Sequence, residues 1–459
     1  MEEKENTNLL IKVPKGMRDL HPYQMIIRDK VFTTIKSIFS SYGAVCIETP
    51  TIERKDILTK KYGEDSKLIY DLADQGGEIL ALRYDLTVPF ARYVASYNIA
   101  NMKRYQIGRV YRMDEPNIGK GRYREFYQCD FDIAGFSNAP LMMTDAEVLK
   151  LANDILKKLN IGDFTIKINH RKLLDALMII AGVPNDKLRT VCSTIDKLDK
   201  ESWANLIKEL QLKGLSNECI SKLEKYVTAK SCKLSDAIIL LENNDEIKNN
   251  DLGKQAITEL KQLQQYIGKN NCYDCDENVI FEFSLARGLD YYTGIIYEAV
   301  LLEKGISIGS IAGGGRYDNL IGSFCGKTIP AVGVSIGIER VFTILEKQML
   351  KECEEKKITI KDNTTQIFIC SIGKAYENEK IKLVNKLREA GFSTDFAYDG
   401  NMKPRHQLAI ALEKQVSYVI FIGETEIKGN SVTIKNINNG KQVSILQNKL
   451  IEFLKNPQF

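Results

Sequence analysis

The sequence predicts an α+β domain on a mainly antiparallel sheet with a helical insertion, followed by a C-terminal α/β domain with a mixed sheet. Two strand-like segments within 104–135 flank a polar loop, which is typical of a long antiparallel pair. Lysine-rich amphipathic helices without glycine-rich loops follow from 171 to 271 and indicate an insertion. After residue 364 strands and helices alternate, as they do on parallel or mixed sheets with right-handed crossovers. We therefore expect a disordered N-terminus at 1–10, a first domain at 11–350 interrupted by an insertion at 171–275, a linker at 351–364 and a last domain at 365–459.

The composition is that of an ordinary soluble globular protein. The 459 residues are 44% hydrophobic and 27% charged, and 64 basic against 60 acidic residues give a net charge of +4. No apolar run approaches the ~18 residues of a membrane span, and the polar N-terminus resembles neither a signal peptide nor a transit peptide. We expect a cytoplasmic protein with no membrane partner. The charge balance neither requires nor excludes a nucleic-acid partner.

The ten cysteines are scattered along the chain, as expected for reduced thiols buried as small hydrophobes. The single CxxC, from Cys272 to Cys275, has no second CxxC near it, and the chain contains only three histidines. We therefore predict no zinc site.

The first predicted elements are a helix and a strand. Apolar residues recur at helical spacing from Gln24 to Tyr42, and a strand at 44–50 ends at Pro50, which cannot donate to a ladder. A short helix at 56–62 and a hairpin at 68–85, turning at two glycines, come next. A further helix is predicted to begin at Thr87.

The two long strands, QIGRVYRMD and REFYQCDFDIAG, carry an unusual density of polar side chains. Gln128, Asp130 and Asp132 share one face of the second strand because side chains alternate with a period of two. Five cations lie within sixteen residues, namely Arg109, Arg112, Lys120, Arg122 and Arg124. Such a cluster can be the solvated surface of a hairpin, but an amide and carboxylates opposite arginines favour a pocket wall.

The remaining elements follow from the same periodicities. Before the insertion we predict a helix at 141–159 and a strand at 164–170. After it we predict strands at 278–284, 294–300 and 307–315, a helix from 316 and a switch from strand to helix at Gly337. The last domain is predicted to contain strands at 365–372, 393–399 and 417–423, helices at 376–391 and 404–415, a hairpin at 431–446 and a terminal helix.

The stretch ARGLDYYTGIIYEAV, Ala286–Val300, places an arginine, an aspartate and two tyrosines before an apolar, β-branched strand. The planar fork of Arg287 suits a carboxylate or a phosphate. The alternative is an ordinary turn in which Arg287 pairs with Asp290.

Four arginines could contact anions: Arg112, Arg122, Arg287 and Arg340, the last in the first turn of a helix. The chain contains neither GxxxxGK[ST] nor a GxGxxG that opens a helix after a strand. If a nucleotide binds, it binds on an antiparallel sheet and is held by arginines. Such a site would stabilise the charge that develops when a carboxylate attacks phosphorus in line.

These motifs resemble those of the histidyl-tRNA synthetases, a family of class II aminoacyl-tRNA synthetases, along essentially the whole chain. Gln24 to Pro50 resembles the first class II motif, VYRMD…GRYREFYQCDFD the second and GIER the third. RGLDYYTG and AGGGRYD are specific to the histidine enzymes. The C-terminal domain resembles the anticodon-binding domain of the same subclass by pattern more than by signature.

The resemblance implies an ATP-dependent attachment of histidine to tRNA(His) through histidyl-adenylate, with release of AMP and diphosphate. Mg²⁺ is expected to arrive with ATP, without a metal site built from protein ligands. The first motif, Gln24 to Pro50, implies a homodimer.

The resemblance also implies roles for individual residues. Arg112 would bind the α-phosphate and the substrate carboxylate, and Arg287 would lie between these two groups where other class II enzymes use a metal. Arg122 and Arg340 would bind the γ-phosphate end of ATP. The wider ATP-binding set is Arg112, Asp114, Arg122, Gln128, Arg287 and Arg340. The histidine-binding set is Asp85, Leu86, Thr87, Gln128, Asp132, Tyr291, Tyr292 and Tyr317, in which Asp132 and Tyr292 would hold the two imidazole nitrogens.

One departure within the family and one rival function remain. Bacterial members carry glutamate at the positions of Asp85 and Asp132, whereas eukaryotic members carry aspartate as here. The rival is a histidine-sensing regulatory paralogue without ligase activity, but such paralogues typically lack the C-terminal domain and part of the catalytic set. A class II ligase for another amino acid is disfavoured by RGLDYYTG.

Overall fold

The computed structural model describes residues 11–59, 61–73, 76–199, 201–268, 271–286, 291–302, 309–356, 363–373 and 376–459. The chain divides into two compact units. One comprises the residues up to Asp19 together with Asp29–Lys347, and the other comprises Leu20–Arg28 and Gln348–Phe459. Among the described residues, no helix combines the length and apolarity needed to cross a membrane.

The first unit is built on an eight-stranded sheet. The strands of this unit are β1 Val45–Cys46, β2 Ile52–Arg54, β3 Leu80–Leu82, β4 Met102–Tyr111, β5 Glu125–Ala134, β6 Phe164–His170, β7 Val279–Phe281, β8 Ile295–Leu301, β9 Ala312–Arg316 and β10 Ala331–Ile336. Of these, β2 and β3 form a separate pair, and the other eight form the sheet. The strand order is β1-β4-β5-β10-β9-β8-β6-β7. Only the β1–β4 and β6–β7 pairs are parallel. This arrangement confirms the predicted mainly antiparallel sheet.

Helices begin and end close to the predicted positions. They are α1 Pro22–Ser41, α2 Lys55–Thr59, α3 Thr87–Ser96, α4 Met143–Leu159, α5 Arg171–Ala181, α6 Leu188–Ile195, α7 Trp203–Leu212, α8 Asn217–Val227, α9 Leu234–Glu242, α10 Asp245–Asn249, α11 Asp251–Ile267, α12 Asp318–Cys325 and α13 Ile338–Lys356. The seven helices α5–α11 lie between β6 and β7 in the chain, where the sequence predicts the insertion. Their apolar faces, including Leu174, Val191 and Leu223, form a buried core.

The register of β4 and β5 decides which polar groups meet. Asp132 is directly opposite Arg104, and Asp130 is directly opposite Gln106. Directly paired residues of an antiparallel ladder project from the same face. The carboxylates of β5 therefore share a face with a cation of β4.

Glycines on β9 and β10 allow close contacts between these strands and with the Asp132 side chain of β5. A Cβ at Gly314 would overlap the backbone carbonyl of Gly333, and a Cβ at Gly333 would overlap the carboxylate of Asp132. Only a residue without a side chain leaves room for both neighbours. The glycine-rich AGGGR strand is thus part of the construction of the site.

The second unit contains a five-stranded mixed sheet. Its elements are β11 Ile367–Ser371, α14 Glu377–Glu389, β12 Thr394–Phe396, α15 Pro404–Glu413, β13 Tyr418–Ile422, α16 Glu424–Lys428, β14 Ser431–Asn436, β15 Gln442–Leu446 and α17 Leu450–Lys455. The strand order is β12-β11-β13-β14-β15. The first three strands are parallel to one another, and the β13–β14 and β14–β15 pairs are antiparallel. The predicted mixed sheet is confirmed.

Several predicted boundaries differ from the structure. The strand predicted at 44–50 pairs only at Val45–Cys46, and the hairpin predicted at 68–85 retains one arm as β3 and the other as an isolated bridge at Asp71. Helix α13 runs to Lys356, well into the segment predicted as a linker, because its Lys351–Glu355 and Glu352–Lys356 pairs continue the helical spacing. The predicted disordered segment 1–10 lies outside the described residues.

Candidate active site

A cavity of about 620 Å³ opens on the polar face of the first sheet. Eleven of the predicted site residues line it: Asp85, Thr87, Arg112, Asp114, Arg122, Gln128, Asp132, Tyr291, Tyr292, Tyr317 and Arg340. These positions are spread over more than 250 residues of sequence, so the fold brings them together from separate elements. The cavity also reaches α6 of the insertion through Arg189 and Ser193.

Two predicted residues stand apart from this set. Leu86 is fully buried and is not among the lining residues, because its side chain packs into the core while its carbonyl accepts a hydrogen bond from Arg104 Nη2 at 3.0 Å. Its place in the histidine-binding set stays a prediction, and a contact would have to involve its backbone. Arg287 lies outside the described residues.

Asp85 is fixed at the start of α3. Its Oδ1 accepts hydrogen bonds from the backbone N–H groups of Thr87 and Val88, at 3.1 and 3.0 Å, and from the hydroxyl of Tyr62 at 2.7 Å. An acidic group that caps a helix N-terminus in this way satisfies N–H groups that have no partner within the helix. Within the described residues, its Oδ2 has only the distant hydroxyl of Tyr291, at 3.5 Å. Burial raises the pKa of Asp85, and the hydrogen bonds oppose that shift.

Asp132 is held by a cation and a hydroxyl. The hydroxyl of Tyr317 donates to Asp132 Oδ1, and Arg104 Nη2 lies 2.6 Å from Oδ2. Arg104 is itself completely buried, with its guanidinium 4.4 Å from the ring centre of Phe90. Burial raises the pKa of Asp132, whereas Arg104 and the Tyr317 hydroxyl lower it.

Three tyrosines form an aromatic row beside the two carboxylates. The ring centre of Tyr291 lies 5.0 Å from that of Tyr292 and 5.9 Å from that of Tyr317, both in edge-to-face geometry. Since Tyr291 reaches Asp85 and Tyr317 reaches Asp132, two rings of this aromatic row, Tyr291 and Tyr317, lie between the two acids, and Tyr292 packs on the other side of Tyr291. Such rows provide rigid apolar walls with polar ends.

Arg112 is clamped between aromatic rings. Its guanidinium lies 4.2 Å from the ring centre of Tyr84 and 5.2 Å from that of Phe126, and its Nε donates to the Tyr84 carbonyl at 3.1 Å. Its two terminal nitrogens have no other partner in the described part of the chain. A guanidinium oriented in this manner can donate two parallel hydrogen bonds to a phosphate or carboxylate.

The other predicted ATP-binding residues are occupied by protein partners. Arg122 pairs with both oxygens of Asp114, at 3.0 and 3.2 Å, and Arg340 donates to the carbonyl of Ser310. Gln128 donates to Ser335 Oγ at 2.8 Å, and its buried Oε1 has no hydrogen-bond partner among the residues that the structure describes. Ligand contact by Arg122 would require this ion pair to open.

Three contributors were not predicted as site residues. Arg104 and Tyr62 support the two carboxylates, and Asp130 lines the cavity. The position of Asp130 on the polar face of β5 could have identified it. Arg104 and Tyr62 could be recognised only through their partners. These partners are distant in sequence, and the sequence does not show which residues they are.

The arrangement can bind a small zwitterion beside an anion. A buried carboxylate suits an ammonium group, the second suits a ring N–H, and the clamped Arg112 suits an oxyanion. The walls between these groups are aromatic. The cavity is also large enough for a nucleotide-sized ligand, by the usual size of ligand pockets of roughly 300–1,000 Å³.

Comparisons with known proteins place this geometry in context. Residues 16–341 match the sequence family described as Histidyl-tRNA synthetase, and residues 366–457 match the family described as Anticodon binding domain. The chain is 50% identical to "Histidine--tRNA ligase, cytoplasmic" of Dictyostelium discoideum over 97% of this chain and 90% of that protein. It is 43% identical to "Histidine--tRNA ligase, mitochondrial" of Bos taurus over 97% and 88%. The crystal structure of histidyl-tRNA synthetase from Nostoc sp. PCC 7120 superimposes with a TM-score of 0.78 at 28% identity, covering 98% of this chain and 99% of that one.

Proposed function

This chain belongs to the histidyl-tRNA synthetase family, a class II aminoacyl-tRNA synthetase family that charges tRNA with histidine, and we propose how it performs that reaction. In the first step histidine and ATP form histidyl-adenylate and diphosphate. In the second step the histidyl group passes to tRNA(His) and AMP is released. The observation that carries this proposal is the aromatic row between two buried carboxylates, Asp85 and Asp132, in one cavity.

The two carboxylates divide the recognition of histidine. Asp85 Oδ2 has room for a donor, so it accepts from the α-ammonium group, with Thr87 and Gln128 beside it. Asp132 accepts from one imidazole nitrogen and the Tyr292 hydroxyl contacts the other. An amino acid without a ring N–H would leave the acceptor position that Asp132 offers to the ligand unfilled, which is a basis for rejection.

The arginines serve the activation step. A carboxylate oxygen of histidine attacks the α-phosphorus, the new O–P bond forms, and the bond to diphosphate breaks. Arg112, preoriented by its two rings, stabilises the charge on the α-phosphate, and Arg340 and Arg122 bind the distal phosphates. The resemblance assigns Arg287 the place between the histidine carboxylate and the α-phosphate.

Mg²⁺ would be carried by the phosphates of ATP. The carboxylates at this end of the cavity are engaged by arginines, Asp114 by Arg122 and Glu339 by Arg18 at 2.7 Å. Neither therefore offers a preformed pair of oxygen ligands. When bound, Mg²⁺ would neutralise phosphate charge.

The second unit is proposed to bind the anticodon stem, on the strength of the match over 366–457. We also propose a homodimer through 24–50 and a cytoplasmic location, although relatives include proteins named cytoplasmic and mitochondrial.

Two assays test the proposed function. The wild-type chain should support ATP–diphosphate exchange with histidine and with no other amino acid, and it should charge tRNA(His). A protein that binds histidine without exchange would instead match the regulatory paralogues.

Substitutions then test the division of recognition. Asp132→Ala and Tyr292→Phe should raise the KM for histidine by about tenfold or more, because a buried polar partner is lost, and leave the KM for ATP nearly unchanged. Tyr97→Phe, at a tyrosine 68% exposed, is the matched control. Equal effects on both substrates would contradict these assignments.

A further inference from the structure

One completely buried guanidinium lies beside a cluster of three buried carboxylates and contacts one of them, Asp132. Arg104 is 0% exposed, while Asp85, Asp130 and Asp132 are each at most 2% exposed, and all three acids line the cavity. Burial penalises the charged form of each acid. A cluster of this kind needs an internal counter-ion to keep any one acid ionised.

The contacts of Arg104 direct its charge to Asp132. Its Nη2 is 2.6 Å from Asp132 Oδ2 and 3.0 Å from the Leu86 carbonyl, and its planar group stacks on Phe90. The Leu86 contact also joins this group to the backbone turn that carries Asp85. Arg104 therefore contacts Asp132 directly and, through the Leu86 carbonyl, the turn that carries Asp85. Both of these carboxylates are proposed to bind histidine.

Asp130 is the least satisfied member of the cluster. Both of its oxygens are buried without a hydrogen-bond partner in the described part of the chain. Burial raises its pKa, the charge of Asp132 raises it further and Arg104 opposes the shift. Arg104 is in contact with Asp132 and not with Asp130, so Asp132 is the acid that this cation favours in its charged form.

We propose that Arg104 is a positioning residue for histidine recognition, which keeps Asp132 ionised and aimed at the imidazole ring. The proposal rests on the proposed function, since it takes histidine as the ligand of Asp132. The groups around Asp132 that bear on its titration are Arg104 on β4, Asp130 on β5, Asp85 before α3, Tyr317 before α12 and Tyr297 on β8.

The pH dependence of histidine activation tests this role. Without Arg104 the pKa of Asp132 rises, so Asp132 loses its charge at a higher pH. In Arg104→Leu, the acidic limb of kcat/KM for histidine in ATP–diphosphate exchange should move up by about one pH unit or more. The pKa of the substrate imidazole is the same for all variants, so a difference between the variant and wild-type profiles is attributed to the enzyme.

Two further variants keep the test decisive if Arg104→Leu does not fold. Arg104→Met combined with Asp130→Asn removes one charge of each sign, and it should show the same upward shift relative to Asp130→Asn alone. Arg104→Lys keeps the charge but loses the stacking and planar geometry. It should raise the KM for histidine by about tenfold while the KM for ATP stays within about twofold.

The matched control is Lys103→Met on the same strand. Lys103 pairs with Glu147 at 2.5 Å, and consecutive strand residues project to opposite faces. This variant should leave the acidic limb in place.

The outcomes separate the two proposals. A uniform loss of activity at all pH values in the folded variants, or an unchanged KM for histidine in Arg104→Lys, would overturn the role of Arg104. If the wild-type chain itself shows no exchange with histidine, the proposed function fails instead.

Discussion

The sheets of the two units differ in the kind of side chain that they bury at their centres. On β11 of the second unit, Ile367 and Ile369 face one side and Phe368 and Cys370 face the other, all completely buried in apolar clusters. On β5 of the first unit, the residues at alternating positions are Gln128, Asp130 and Asp132, also buried. Strand β11 is therefore apolar on both faces, whereas β5 is apolar on one face and polar on the face toward the cavity.

The difference indicates where stability has been given up for binding. A buried polar group without a partner costs about 1–3 kcal/mol. Gln128 Oε1 and both oxygens of Asp130 have no hydrogen-bond partner within the described chain. The apolar strands of the second unit carry no comparable free-energy cost. In the first unit, we expect groups of a bound ligand to supply the hydrogen-bond partners that Gln128 and Asp130 lack.

The largest expected effect comes from removing the clamped cation of the polar sheet. Arg112→Met should lower ATP–diphosphate exchange by about a hundredfold to a thousandfold, because a preoriented donor to the developing charge is lost. The melting temperature should change little, since the methionine retains much of the apolar contact with Tyr84 and Phe126. Arg109→Met is the control, because Arg109, three residues earlier on β4, is 48% exposed in its pair with Glu125.

The apolar sheet should show the reverse pattern. Ile369→Ala should lower the free energy of unfolding of the second unit by about 2–4 kcal/mol through lost burial and a cavity. Histidine activation should persist, and charging of tRNA(His) should fall as the unit loosens. Denaturant unfolding alongside both assays checks this. Lys428→Ala, in an exposed pair with Glu424, should change the unfolding free energy by less than about 0.5 kcal/mol.

The smallest effect concerns the unsatisfied acid. The pKa of Asp130 in the folded protein is raised from 3.8 to about 7, so folding favours its protonated form and this stability is lost as pH rises between about 4 and 7. Asparagine cannot ionise, so Asp130→Asn should gain about 1–3 kcal/mol of stability over wild type on going from pH 4 to pH 8.

Thermal unfolding at the two pH values measures this gain. The control is Asp245→Asn, at an exposed pair with Lys248, for which no such gain between pH 5 and 8 is expected. An identical pH dependence for Asp130→Asn and wild type would mean that Asp130 is ionised without penalty.

Periodicity explains why most elements could be predicted. Apolar spacing alone gave α1 and the strand-to-helix switch at Gly337, and turn chemistry placed the start of α3 at Thr87. Local patterns of this kind need no knowledge of distant residues. The length of α13 was underestimated, because a charged surface helix and a charged linker have the same composition.

The supports of the site could not be predicted in the same way. The loop between β4 and β5 leaves their register undetermined, and a slip of one residue would turn Arg104 away from Asp132. Tyr62 reaches Asp85 across 23 residues of intervening turns. Residues predicted to touch a ligand thus carried a signal in the sequence, whereas those that hold them in place did not. The individual ligand contacts stay predictions.

Gly333 lies behind Asp132, outside the left-handed region of backbone conformation, so its backbone alone would accept any residue. The constraint is space, since a methyl group there would coincide with the carboxylate of Asp132. Alanine at position 333 would therefore displace the Asp132 carboxylate from Tyr317 and Arg104, so a single methyl group on the neighbouring strand would remove the acceptor proposed for the imidazole ring.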